Sequence, residues 1–132
     1  MSQPTATRAR PVSPHLTIYR WRPTMAMSIA HRITGIALYF GMLLVAAWLV
    51  AAASGPVWFD NANWLAGSWF GILVLIGFTW ALFHHLFGGI RHYIWDTGVG
   101  MGKETSTLLA WLTLAASLLC TAVTWAVYFI WF

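Results

Sequence analysis

Three stretches of this chain stay apolar for long enough to cross a lipid bilayer as helices, and no other feature restricts its fold as strongly. From Ile29 to Ala53 the only charged residue is Arg32, with His31 beside it. From Trp69 to Ile90 there is no formal charge, although His84 and His85 sit inside; from Leu108 to Phe132 only Cys120 and Tyr128 can ionise. At 1.5 Å of rise per residue, runs of roughly 20 to 25 residues match a hydrocarbon core about 30 Å thick. One such run can be a buried helix of a soluble protein. Three in succession, in a chain with only 8% Asp, Glu, Lys and Arg, leave too little charge to cover a soluble surface. The expected fold is an all-α membrane protein of one domain. An N-terminal cytoplasmic or interfacial segment over about 1–28 precedes a three-helix transmembrane domain over 29–132, with helices near 29–53, 67–92 and 107–131.

The links and the charges set the direction. Gly55, Pro56, Asn61 and Asn63 in the first link have turn chemistry, and Gly98, Gly100 and Gly102 punctuate the second, where Thr105 or Ser106 is placed to cap the last helix. The basic residues are Arg8, Arg10, Arg20, Arg22, Arg32, Arg91 and Lys103, and with three spans all seven fall on the N-terminal side or in the second link. The first link holds only Asp60. The positive-inside rule then puts the N-terminus in the cytoplasm (or matrix) and the C-terminus across the membrane. Trp58, Trp64, Trp69 and Trp131 are expected in the outer aromatic belt, and Trp21, Trp95 and Trp111 at the inner boundary. The formal charge of +4 is thereby explained by topology and not by a nucleic-acid surface. Arg8 and Arg10 are followed by Pro11, Pro14, Arg20, Arg22 and Pro23, not by the apolar core of a signal peptide, so a retained segment is expected. Cys120 is alone and forms no disulfide framework.

An ionisable group inside a span is expensive and is a functional candidate by default. His31, Arg32, His84, His85, Arg91 and His92 all fall in the cytoplasmic half of the first two spans. Arg91, His92 and His31 are close enough to the boundary for snorkelling to account for them. His85 lies six residues deeper than Arg91, roughly 9 Å along a helix. His85, Gly89 and His92 share a stripe at i, i+4 and i+7. A glycine one turn from a histidine opens flat space for a porphyrin face, and a neutral imidazole is a common axial ligand of haem iron. Helix packing through Gly88 and Gly89 is the competing explanation. His84 points about 100° away from His85, so the two cannot hold one iron. On the first span Ser28, His31 and Arg32 sit at i, i+3 and i+4, where a hydroxyl and a fixed positive charge can hold a carbonyl oxygen or its reduced, anionic form. The same arginine can instead meet lipid phosphate or haem propionates.

Two motifs then point to a family. Arg10-Pro11-Val12-Ser13-Pro14-His15-Leu16-Thr17-Ile18-Tyr19 is followed by Ser28-Ile29-Ala30-His31-Arg32-Ile33-Thr34-Gly35; further on, His85 precedes Gly89-Ile90-Arg91-His92 and Trp95-Asp96. Together they resemble the cytochrome b subunits of succinate dehydrogenase, respiratory complex II, over essentially the whole chain; Tyr93 departs from the aliphatic residue usual at its position. The resemblance implies haem b with His85 as an axial iron ligand, His31 and Arg32 in the vicinity of the haem propionates, and Ser28 with Arg32 at a ubiquinone pocket. It also implies that the haem is shared with a second small membrane-anchor subunit, which supplies the other ligand. Electrons from succinate would arrive through an iron–sulfur subunit and a flavoprotein subunit, so the chain is part of an enzyme without being catalytic alone. It would reside in the bacterial inner (cytoplasmic) membrane or the mitochondrial inner membrane. A quinol-oxidising fumarate reductase anchor, a haem-free structural anchor and a proton-conducting transport protein are the alternatives.

Overall fold

The computed structural model describes residues 17–131 together with Pro11, Ser13 and His15. Arg8, Arg10 and Phe132, and the remainder of the N-terminal segment, lie outside the described residues. Among the described residues four helices follow one another: α1 (Pro23–Ala53), α2 (Pro56–Gly67), α3 (Trp69–Asp96) and α4 (Lys103–Trp131). α1, α3 and α4 are each long and apolar enough to cross a membrane, as expected. Among the described residues there is no strand.

The helix ends show how local chemistry extends or interrupts the apolar runs. α1 begins at Pro23, ahead of its apolar run, with extended Arg22 as N-cap. Proline suits this first position, because its missing N–H would be unpaired there and its fixed φ is already helical. α3 runs on to Asp96 and stops where Gly98 and Gly100 take φ of 80° and 78°, a left-handed conformation that L side chains resist. Thr105 and Ser106 are not caps. They lie within α4, which begins at Lys103, and the Ser106 N–H donates to Gly102 O at 2.8 Å.

The first link is a helix and not a turn. Gly55, at φ 112°, and Pro56 occupy the N-cap and first-turn positions of α2, so the pair that looks like turn chemistry is a helix start. Trp48 Nε1 donates to Asn63 Oδ1 at 3.0 Å and the Trp48 ring lies 5.5 Å from that of Phe59, tying α2 to α1. The chain then reverses sharply into α3. Ser68 caps α3 by accepting from the Gly71 N–H at 3.1 Å, and any Cβ at Gly71 would collide with the carbonyls of Leu65 and Ala66.

α3 is the central helix, packed against α1, α2 and α4. What is buried is small or polar: Thr34 and Gly41 on α1; Ala81, His84, Gly88 and Arg91 on α3; Ala110, Thr113, Ser117 and Thr121 on α4. Each set recurs at three-, four- or seven-residue intervals, which makes a stripe along one helix face. Large apolar side chains such as Tyr39, Phe40, Leu119 and Ile130 are exposed. That inversion of the soluble pattern is expected in lipid, where helices associate through close packing of small residues. The hydroxyls of Thr113, Ser117 and Thr121 donate to carbonyls of their own helix at 2.8 Å, so they enter the seam without leaving a polar group unpaired.

Up-and-down threading brings the N-terminal ends of α1 and α4 and the C-terminal end of α3 to one end of the bundle. Arg20, Arg22, Arg32, Arg91 and Lys103 are therefore at that end, while Asp60 lies on α2 at the other. A reporter fused after Phe132 is expected on the periplasmic face, or in the intermembrane space of a mitochondrion. A reporter signal from the cytoplasm or matrix would overturn this orientation.

Candidate functional site

α1 and α3 cross where the sequence places its histidines, and glycines on both helices permit the approach. A Cβ at Gly88 would collide with the His31 ring, and one at Gly35 would stand 2.9 Å from His85 Cε1. In the space so left, the rings of His31 and His85 stack at 4.0 Å between centroids and 11° between planes. His92 approaches the same cluster, with its ring 5.2 Å from His31.

The hydrogen bonding of His85 assigns its protons. Nδ1 lies 3.0 Å from the His31 carbonyl oxygen. A carbonyl only accepts, so Nδ1 donates, and the lone pair of the neutral ring is on Nε2. That nitrogen makes no hydrogen bond among the described residues and, unlike His31 Nε2, is not sealed inside the protein. A metal-ligating imidazole has this arrangement: one nitrogen held by a backbone carbonyl, the other free with its lone pair. The chain's own residues therefore fit an axial haem site. Among the described residues no three His, Cys, Asp or Glu side chains converge as an ion site, and an axial position asks only one imidazole of a chain.

His84 is in a different environment. It is 0% exposed, and neither ring nitrogen has a hydrogen-bond partner among the described residues. It shares the buried stripe of α3 with Ala81, Gly88 and Arg91, and its ring lies 5.2 Å from that of Trp80. The adjacent histidines thus part company: one is sealed within the bundle, the other faces α1 with an accessible nitrogen.

Other expected site residues are rearranged. Ser28, His31 and Arg32 lie within one turn of α1 and differ in surroundings. His31 turns towards α3, whereas Arg32 is exposed and Ser28 half-buried. Neither Ser28 nor Arg32 makes a side-chain hydrogen bond among the described residues, so both are available to a ligand outside the chain. Arg91 does not snorkel. It is 2% exposed, with its Cζ 5.0 Å from the Trp95 ring centroid, a cation–π contact. Trp95 stands one residue before the end of α3, half-buried, and its Nε1 donates to Gly100 O at 3.2 Å. Trp21, Trp58, Trp64, Trp69, Trp111 and Trp131 are exposed. Sequence reasoning did not identify Thr34 and Gly35 as contacts of His85. Their spacing of one helical turn from His31 was the available signal.

Comparisons with known proteins identify the family. The family model described as succinate dehydrogenase/fumarate reductase transmembrane subunit matches residues 6–124. The chain is 40% identical over 121 residues to the succinate dehydrogenase cytochrome b556 subunit of Paracoccus denitrificans, covering 92% of this chain and 93% of that one. It is 36% identical over 116 residues to the b556 subunit of Rickettsia felis, covering 88% and 90%. To the mitochondrial cytochrome b560 subunit of Sus scrofa it is 44% identical over 97 residues, covering 70% and 56%. With three membrane-spanning helices and relatives of this kind in bacteria and mitochondria, the chain is a multi-pass inner-membrane member of the succinate dehydrogenase/fumarate reductase transmembrane subunit family.

Proposed function

We propose that the chain is the cytochrome b membrane anchor of a succinate dehydrogenase, holding haem b through His85 Nε2 and contributing Ser28 and Arg32 to a ubiquinone-reducing site. The observation that carries this reading is the state of His85, whose Nδ1 is committed to the His31 carbonyl at 3.0 Å and whose lone-pair nitrogen is accessible. The names of the relatives, cytochrome b556 and b560 subunits, support it. Haem, when bound, supplies a one-electron centre within the membrane. A b haem would need a second ligand besides His85, which another small membrane subunit would supply. The flavin and iron–sulfur clusters belong to soluble partners, because one cysteine and no nucleotide fingerprint cannot hold them. Those partners dock on the basic end of the bundle.

The roles of the chain's own residues follow from their chemistry. The Ser28 hydroxyl donates a hydrogen bond to a quinone carbonyl. The Arg32 guanidinium offsets negative charge as the ring is reduced. His31 holds His85 by its carbonyl at 3.0 Å and by its stacked ring, which turns it towards α3. Succinate oxidation releases two electrons and two protons, and ubiquinone takes up two of each to become ubiquinol. A site at the basic end lets protons enter from the same aqueous side as the electrons.

An optical spectrum of the detergent-purified complex, followed by subunit identification, tests the reading. A dithionite-reduced minus oxidised difference spectrum is expected to show one b-type haem per complex, with flavoprotein, iron–sulfur and second anchor subunits co-purifying. A complex without b haem would leave a haem-free anchor. Fumarate reduction by quinol outpacing succinate oxidation would make it a fumarate reductase anchor, the other activity in the family's description.

A further inference from the structure

We propose that Thr34 and Gly35 form the socket that positions His85, and that the Thr34 hydroxyl tunes the iron ligand by competing for the carbonyl that holds it. The inference rests on His85 being the iron ligand. The His31 carbonyl oxygen accepts from two side chains at once: the Thr34 hydroxyl at 3.0 Å and His85 Nδ1 at 3.0 Å. In a continuous α-helix the same oxygen also accepts the N–H four residues on, that of Gly35. A carbonyl oxygen has two lone pairs, so three donors share it and each weakens the others' hold. Thr34 is 2% exposed, and at 3.5 Å its hydroxyl oxygen is a much weaker acceptor for His85 Nδ1–H than the His31 carbonyl at 3.0 Å. Sealed there, the hydroxyl has no solvent or lipid headgroup to turn to, and it stays on the carbonyl.

Gly35 forms the floor of the socket. A Cβ there would stand 2.9 Å from His85 Cε1 and 3.4 Å from Nδ1, so only glycine lets the ring lie flat against α1. The His31 ring covers it at 4.0 Å. Carbonyl, floor and stacked ring together fix the tautomer and the orientation of the imidazole, as hydrogen-bonded neighbours of metal ligands do elsewhere. A stronger Nδ1–H···O bond makes the imidazole a more basic ligand and favours ferric over ferrous iron. Thr34, by drawing on the same oxygen, keeps that bond weaker than it would otherwise be and holds the midpoint potential up.

The test is a redox titration of the b haem in the assembled complex, combined with 15N spectra of labelled histidines in the haem-free complex. Thr34→Val keeps the shape of the side chain and removes the competing donor, so the midpoint potential is expected to fall. Thr34→Ser keeps the hydroxyl and is expected to match the parent. Gly35→Ala displaces the ring and lengthens its bond, so the potential is expected to rise or the haem to be lost. In the haem-free complex His85 is expected as the Nδ1–H tautomer. Parent, Thr34→Val and Thr34→Ser at one potential, or His85 protonated on Nε2, would overturn the proposal. The spectrum of His85→Ala separates the two layers. If haem survives that change, the ligand assignment itself fails; if haem is lost there while Thr34→Val leaves the potential unmoved, only the socket fails.

Discussion

Replacing His85 with alanine is expected to strip low-spin b haem from the assembled complex, while His84→Ala retains it. The two residues are neighbours with opposite surroundings. The His85 ring lies against α1, with its Nδ1 on the His31 carbonyl at 3.0 Å; the His84 ring is completely enclosed. Turning His84 to where His85 stands would require about 100° of helix rotation, which would drag Gly88 off His31 and expose Arg91. Alanine at 84 removes two unpaired ring nitrogens but leaves a cavity, and these terms oppose one another in stability. The measurement is the reduced-minus-oxidised spectrum of each purified variant, normalised to flavin. Haem kept in His85→Ala and lost from His84→Ala would reverse the assignment.

Ubiquinone reduction is expected to fall roughly ten- to a hundred-fold in Ser28→Ala and in Arg32→Lys, with succinate oxidation by an upstream artificial dye preserved. The two side chains are one helical turn apart on α1, close enough to converge on one oxygen. Neither is engaged within the chain among the described residues. A charge-assisted hydrogen bond in a dry site contributes on the order of 1.5 to 3 kcal/mol, and that difference at the transition state sets the expected factor. Lysine keeps the charge but loses the planar fork of donors, so Arg32→Lys tests geometry and not charge alone. The dye assay shows that the complex has assembled and that electrons still arrive. Ubiquinone kinetics unchanged in both variants would remove Ser28 and Arg32 from the site and leave Arg32 to lipid phosphates.

Much of this protein was legible before any tertiary contact was known. The three spans follow from the length and apolarity that a bilayer demands, and the grouping of charged residues at one end follows from where the links fall between them. His85 stood out because its spacing to Gly89 is a property of one helix. The reading of the first link failed at Gly55-Pro56, since a positive-φ glycine followed by proline opens a helix as readily as a turn. The expectation that Arg91 snorkels failed for a different reason. Arg91 shares its stripe of α3 with Ala81, His84 and Gly88, and that stripe faces protein.

A helix period shows which residues share a face, but in a membrane it does not show what the face meets. Lipid tails are as apolar as leucine, so the contrast that marks the buried side of a soluble helix is absent. The sequence by itself determined the number of spans and which of them carry the histidines. Tertiary structure decided that the stripe of Ala110, Thr113, Ser117 and Thr121 on α4 joins a seam in which His84 and Arg91 are buried. It also decided that Gly35 and Gly88 let α1 close on α3 until the carbonyl of one histidine holds the ring of another. Those outcomes depend on steric fit between separate helices, where a single Cβ is enough to prevent contact, and no pattern along one helix encodes that fit alone.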